Sequence, residues 1–196
     1  IFSKEQPFFI AEVGQNHNGD FEEAKKYIET FSACGANAVK FQTRDNKYLF
    51  AKEAYEKEYN SENAYAATYG AHREKLELDK KKYSELQKLC KKNNIFFMST
   101  PFDEPSLEFL ISINIDIIKI ASFDVGNLPL IDKIGKSKKP VVLSIGGGNS
   151  KQIDASIKLL KKYNSEISVL HCVSEYPCPY NRLGLSNIST LKKKYP

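Results

Sequence analysis

The stretch "GANAVKFQT", Gly35 to Thr43, decides the fold. Side chains alternate along a β-strand, so Ala38, Lys40 and Gln42 share one face while Val39 and Phe41 share the other. If the apolar pair meets covering helices, Lys40 and Gln42 point to the opposite side of the sheet, into an interior. An ammonium placed there is costly without an anion. The stretch therefore predicts a strand covered by helices on one face and lined with polar chemistry on the other.

Working outward, five further apolar, β-branched runs of strand length recur: "PFFIAEVG", "IFFMSTP", "IDIIKIAS", "PVVLSIGG" and "ISVLHCVS". Runs apolar on both faces are those of parallel strands covered by helices. Between them lie helical stripes: Ala24, Tyr27, Ile28 and Phe31; Tyr83, Leu86, Leu89 and Cys90; Ile153, Ile157 and Leu160. Asp20 and Asp103 stand where helix N-caps belong, Gly35 follows the end of the first helix, and a further helix begins near Ser150. After the second strand, residues 44 to 78 form an excess too long for a plain connection, which predicts a lid or substrate loop.

Strand alternating with helix six times predicts an α/β fold with a parallel sheet. An open doubly wound sheet gathers its chemistry at one switch point, whereas a (β/α)8 TIM-type barrel spreads it over the C-terminal ends of many strands. Here every run ends in polar groups: Glu12, Gln15 and Asn16; Lys40 and Gln42; Ser99 and Thr100; Lys119, Ser122 and Asp124; Ser144; then His171, Ser174 and Tyr176. That distribution selects the barrel. Six βα units are three quarters of one, and leaving it open would expose two parallel strand edges. Residues 1–196 are therefore expected to be the front part of a longer protein.

The totals fit one soluble domain: 196 residues, 41% hydrophobic and 27% charged. No apolar run approaches the roughly 18 residues of a membrane span, and no secretory signal opens the chain, so a cytoplasmic protein that avoids membranes is expected. The net charge of +5 comes largely from lysine runs such as "DKKKYSELQKLCKKNN" and "GKSKK". These are solvated helix faces without interleaved aromatics, and nucleic acid is not the expected partner. Cys34, Cys90, Cys172 and Cys178 form no CxxC pair and are expected as reduced packing thiols.

Two inward lysines, Lys40 and Lys119, with few inward acids predict a site for a small polyanion such as a phosphorylated carboxylate. Pairing of each lysine with an acid is the structural alternative. "SIGGGN", Ser144 to Asn149, is either a phosphate turn at a helix N-terminus or simply a turn. Asp124, placed at the rim just past the fourth strand, is either a proton-transfer group or a loop acid. His17 lies in the opening loop, His72 in the long excursion and His171 in the sixth strand, and three scattered histidines specify no metal site. Ser174 and Tyr176 offer hydroxyls for a polyol, with core packing the alternative for Tyr176.

"IAEVGQNHNGD", "GANAVKFQT", "FMSTPFDEPSLEFL", "KIASFDVGNLPLI", "KPVVLSIGGGN" and "VLHCVSEYPCPY" together, in this order and spacing, resemble the sialic acid (N-acetylneuraminate) synthase family, from about Pro7 to Pro196. The resemblance implies a (β/α)8 barrel that condenses phosphoenolpyruvate with N-acetylmannosamine or a related N-acyl hexosamine, releasing phosphate. By the same resemblance Lys40, Ser122, Ser144 and Ser174 match phosphate contacts, and Thr100 with Lys119 match positions near the carboxylate. Glu12, Gln42, Tyr176 and Asn63 match sugar contacts, with Glu12 and Asp124 the catalytic pair; Asp124 stands where many relatives carry a glutamate that transfers the proton.

The resemblance further implies a divalent metal, Mn2+ or Mg2+, a homodimer, and a C-terminal antifreeze-like domain. Its metal ligands are two histidines on later strands, expected beyond Pro196, so no metal ligand is assigned within residues 1–196, and the 196-residue product is expected to be inactive or poorly folded. "SIGGG" departs from the Ser-Thr-Gly-Met of many relatives, which predicts a differently shaped phosphate turn. Two rivals stand beside this expectation. One is a 3-deoxy-aldulosonate phosphate synthase using phosphoenolpyruvate and a phosphorylated aldose; the other is a non-catalytic phospholigand-binding module.

Overall fold

The computed structural model describes residues 6–163 and 166–195. The chain divides into two compact units, residues 1–116 and 117–196. The first holds strands β1 (Ile10–Gly14), β2 (Ala38–Thr43) and β3 (Phe96–Pro101), paired in parallel in that order. The second holds β4 (Ile117–Ile120), β5 (Val141–Ser144) and β6 (Ile167–Leu170), likewise parallel and in order. Parallel neighbours need a crossover, and helices supply it. In the first unit these are α1 (Phe21–Ala33), then α2 (Asn46–Leu49), α3 (Lys52–Glu56), α4 (Tyr69–Leu76) and α5 (Lys80–Lys92), then α6 (Glu104–Ser112). In the second they are α7 (Leu128–Lys136), α8 (Ser150–Lys162) and α9 (Asn187–Lys194). Six successive βα units are the connectivity of a (β/α)8 TIM-type chain.

Helix starts follow local chemistry. Asp20 accepts from the Glu23 N–H at 3.0 Å, Asp79 from Lys82 N–H at 2.8 Å, and Asp103 from Ser106 N–H at 2.7 Å. Asn149 and Gln152 close a reciprocal capping box at the head of α8. These bonds satisfy amides that the first turn leaves without helical partners.

The core is where the strand pattern put it: Val39, Phe41 and Phe97 are fully buried, as are Ile117 and Ile118. Along α5 the buried stripe is Tyr83, Leu86, Gln87 and Cys90. Gln87 replaces the expected Leu89 because its amide donates to the Asn114 carbonyl at 3.0 Å, which removes the cost of burying it. The excursion after β2 is corrected from a loop to three short helices, α2 to α4. Thr68 caps α4 by accepting from the Ala71 N–H at 3.3 Å. His171 is corrected from the sixth strand to the segment just past it, where Nε2 meets the Leu183 carbonyl at 2.7 Å. Cys90 is the buried thiol the composition predicted, whereas Cys34 is exposed; all four cysteines are free.

Candidate functional site

In the first unit the parallel register sets Glu12 beside Lys40 and Gln42 beside Thr100. The Lys40 ammonium therefore reaches the Glu12 carboxylate at 2.5 Å and donates to Thr100 Oγ1 at 3.3 Å. The Lys40 side chain is only 11% exposed, so its charge is held among these groups rather than in water. Pairing with an acid was the structural alternative, and Glu12 is that acid. The pair leaves half of the Glu12 side chain accessible, where it can exchange its partner for a ligand hydroxyl.

Gln42 donates weakly to Glu12 Oε1 at 3.5 Å and accepts from Arg44 Nη2 at 2.7 Å. Its backbone carbonyl accepts from the fully buried Tyr83 hydroxyl, which burial holds above the usual phenol range. Gln42 is thereby fixed from both ends. A cavity of about 540 Å³ opens beside it, lined by Glu12, Gln15, Gln42 and Asn63 together with Tyr59, Tyr65 and His72. Three expected residues, Glu12, Gln42 and Asn63, thus share one cavity.

The excursion supplies groups that motif reading missed. Glu77 accepts from Gln15 Nε2 at 2.7 Å and from the Arg44 N–H at 3.3 Å, and Arg73 donates to Gln15 Oε1 at 2.9 Å. Burial pushes Glu77 up to about 7 and lowers Arg44, so desolvation outweighs their pairing at 3.6 Å. The available signal was the tyrosine density of "YNSENAYAATYGAH", unusual for a solvated loop. His17, next to this region, is a loop-shaping residue. Its Nδ1 accepts from the Gly19 N–H at 3.1 Å, and burial lowers its pKa to about 4.

In the second unit Ser122, Gly146, Gly147, Gly148 and Ser174 line a cavity of about 270 Å³. Gly146 is required by proximity: a Cβ there would sit 2.6 Å from Cys172 Sγ and 2.8 Å from Ser174 Oγ. The turn is not the open row of amides that its glycines implied. Ile145 and Gly148 N–H groups donate to the Leu170 and Ile145 carbonyls, Gly146 to Cys172 Sγ at 3.0 Å, and Asn149 to Gln152. What this turn offers a ligand is therefore mainly the serine hydroxyls.

Ser144 is buried at the end of β5, and Lys119, also buried, donates to the Ile120 carbonyl at 2.8 Å. Asp124 is corrected from the rim to a buried place, 5% exposed. The 3-10 turn Ser122–Asp124 folds it inward, and Asn127 Nδ2 donates to its Oδ1 at 3.1 Å. Ser144, Lys119 and Asp124 do not line the 270 Å³ cavity. Tyr176 is neither packed nor in a cavity lining: it is 91% exposed. Among the described residues no group of three His, Cys, Asp or Glu side chains could hold a metal ion. No helix among them is long and apolar enough to cross a membrane.

The chain is 38% identical over 190 residues to an N-acetylneuraminate-9-phosphate synthase of Drosophila melanogaster, covering 96% of this chain and 51% of that protein. It is 38% identical over 195 residues to an N,N'-diacetyllegionaminic acid synthase of Campylobacter jejuni, covering 95% and 57%. The crystal structure of an N-acetylneuraminic acid (sialic acid) synthetase from Leptospira borgpetersenii, in complex with citrate, superposes with a TM-score of 0.85 at 34% identity, covering 100% of this chain and 66% of that one. The chain thus spans about half the length of the curated relatives it matches. The NeuB family profile matches residues 27–196, which takes in β2 with its Lys40 and Gln42 as well as the serine-lined turn, and the chain belongs to the NeuB family.

Proposed function

We propose that the protein carrying this chain condenses phosphoenolpyruvate with N-acetylmannosamine or a related N-acyl hexosamine, giving a nonulosonic acid and phosphate. The observation that carries this is the Glu12–Lys40 pair at 2.5 Å beside the 540 Å³ cavity. A nearly buried cation whose single acid is half exposed can take up an anionic ligand without first being desolvated.

In this reaction C3 of phosphoenolpyruvate bonds to the sugar aldehyde carbon, the aldehyde oxygen takes up a proton, and water adds at C2 before phosphate leaves. Lys40, Ser122, Ser144 and Ser174 are assigned to the phosphate, and Thr100 and Lys119 to the carboxylate. Glu12, Gln42, Asn63 and Tyr176 are assigned to the sugar. Glu12 accepts from a sugar hydroxyl while Gln42, clamped by Arg44 and Tyr83, presents its amide to the same cavity. Asp124 is assigned the proton transfer.

The divalent metal, Mn2+ or Mg2+, belongs to this proposal for the full-length protein only. A homodimer and a cytoplasmic location complete the proposal; four free cysteines suit a reducing compartment.

The test is Lys40→Ala in the full-length protein, followed by phosphate release and calorimetry. Losing a charge-assisted contact is expected to weaken phosphoenolpyruvate binding by about 10- to 100-fold. Unchanged phosphoenolpyruvate affinity would remove the assignment.

A further inference from the structure

His72, in the excursion after β2, has no part in the proposed chemistry, yet it stands in the wall of the 540 Å³ cavity. It is 7% exposed. Tyr59 and Tyr65 hold its ring, with centroids at 4.6 Å and 5.6 Å. Its Nδ1 accepts from the Tyr65 N–H at 3.2 Å. A backbone N–H can only donate, so Nδ1 carries a lone pair, and the neutral ring places its proton on Nε2. Burial first, and then the neighbouring Arg73 guanidinium, keep the ring neutral by lowering its pKa. Nε2 makes no hydrogen bond among the described residues. The result is a fixed, uncharged donor in an aromatic wall.

The rest of the lining differs in kind. Glu12, Gln15, Asn16 and Gln42 offer carboxylate and amide groups suited to hydroxyls. A ligand that satisfies both sets of lining groups is polar over most of its surface and carries one arm that ends in an acceptor flanked by carbon. An acylamino group has that form, its carbonyl oxygen accepting while its alkyl carbon lies on Tyr59, Tyr65 or Leu76. An unacylated amino sugar would instead bring an ammonium against a donor, leaving both unpaired.

We infer that His72 is the specificity-determining residue for the N-acyl group: Nε2–H donates to the acyl carbonyl, and Tyr59 and Leu76 seat the acyl carbon. This rests on the proposed condensation. It assigns to the excursion the choice of the sugar's substituent, while the strand residues recognise what all such sugars share.

The decisive variants are His72→Asn and His72→Gln in the full-length protein. Asparagine keeps an acceptor for the Tyr65 N–H but withdraws the donor at the Nε2 position; glutamine places an amide N–H there. In H72N the KM for N-acetylmannosamine is expected to rise about tenfold, the worth of one hydrogen bond to a neutral acceptor. The KM for phosphoenolpyruvate should stay unchanged. So should the inhibition constant of D-mannose, which has a hydroxyl in place of the acylamino group. H72Q should recover most of the affinity. If H72N does not fold, His72→Phe carries the same expectation. An unchanged KM for N-acetylmannosamine, or an equal loss for D-mannose, overturns the role of His72 while leaving the condensation standing. Absence of phosphate release by the wild-type protein with every N-acyl hexosamine overturns both.

Discussion

Glu77 and His17 are buried titratable groups of the first unit whose protons act in opposite senses. Burial raises Glu77 from 4.5 to about 7 against the opposing pull of Arg44 and Arg73. The folded protein therefore holds a proton that the unfolded chain has already released, and this contribution to stability is lost as pH rises from 4.5 to 7. Burial lowers His17 from 6.5 to about 4 against the opposing pull of Asp20. Here the unfolded chain takes the proton first, and stability is lost as pH falls from 6.5 towards 4. Between 4.5 and 6.5 the two slopes offset each other, and single substitutions should uncover them. Glu77→Gln is expected to gain stability relative to wild type as pH rises from 4.5 to 7. His17→Phe is expected to gain it as pH falls from 6.5 to 4. Each change is bounded by about 1.4 kcal/mol per pH unit for one proton. Urea unfolding of the full-length protein at four pH values reads both, and a stability difference independent of pH would show that the group titrates normally.

At the scale of elements, the excursion after β2 is held by close ring packing rather than by a regular sheet. A Cβ at Gly70, in the first turn of α4, would lie 2.3 Å from the Tyr55 ring of α3. Gly70→Ala should therefore push α3 away from α4 and open the segment between them. The expected readout is faster proteolysis confined to residues 52–68, together with a raised KM for the sugar, since Asn63 and His72 flank the change. Cleavage at the wild-type rate would refute this account of the packing. This is also where the sequence was least legible. The strands and main helices could be read because apolar period and acidic caps agree at Asp20 and Asp103. The excursion has short helices with little amphipathic pattern, and Tyr59, Tyr65 and His72 come together only through tertiary packing. The site divides the same way. Glu12, Lys40 and Gln42 were legible because strand register aligns them, whereas the inward fold of Asp124 depends on a 3-10 turn and on Asn127.

For the whole molecule, the second unit carries several large exposed apolar side chains. Phe123, Tyr176, Tyr180 and Leu185 are all strongly exposed, and Leu170 of β6 and Ile188 of α9 add to them. β6 pairs with β5 and is the outer strand of its unit, so its free backbone edge runs beside apolar side chains. Scattered exposed hydrophobics are ordinary, but Leu170 on an outer parallel strand, with Ile188 lining the same small cavity as Val169 of that strand, makes an association surface. The relatives extend to about twice the length that this chain covers. We expect residues 1–196 produced alone to bind a hydrophobic dye and to self-associate in sedimentation experiments at micromolar concentration. A chain of the relatives' full length should do so much less, because further βα units can pair with β6 and cover Leu170 and Ile188. Replacing Leu185 and Ile188 with lysine in the short chain should reduce dye binding without altering the helical signal of the first unit. Equal dye binding by the short and the full-length chains would show that this surface is left open in the complete protein as well, and the covering role assigned to the additional residues would then fail.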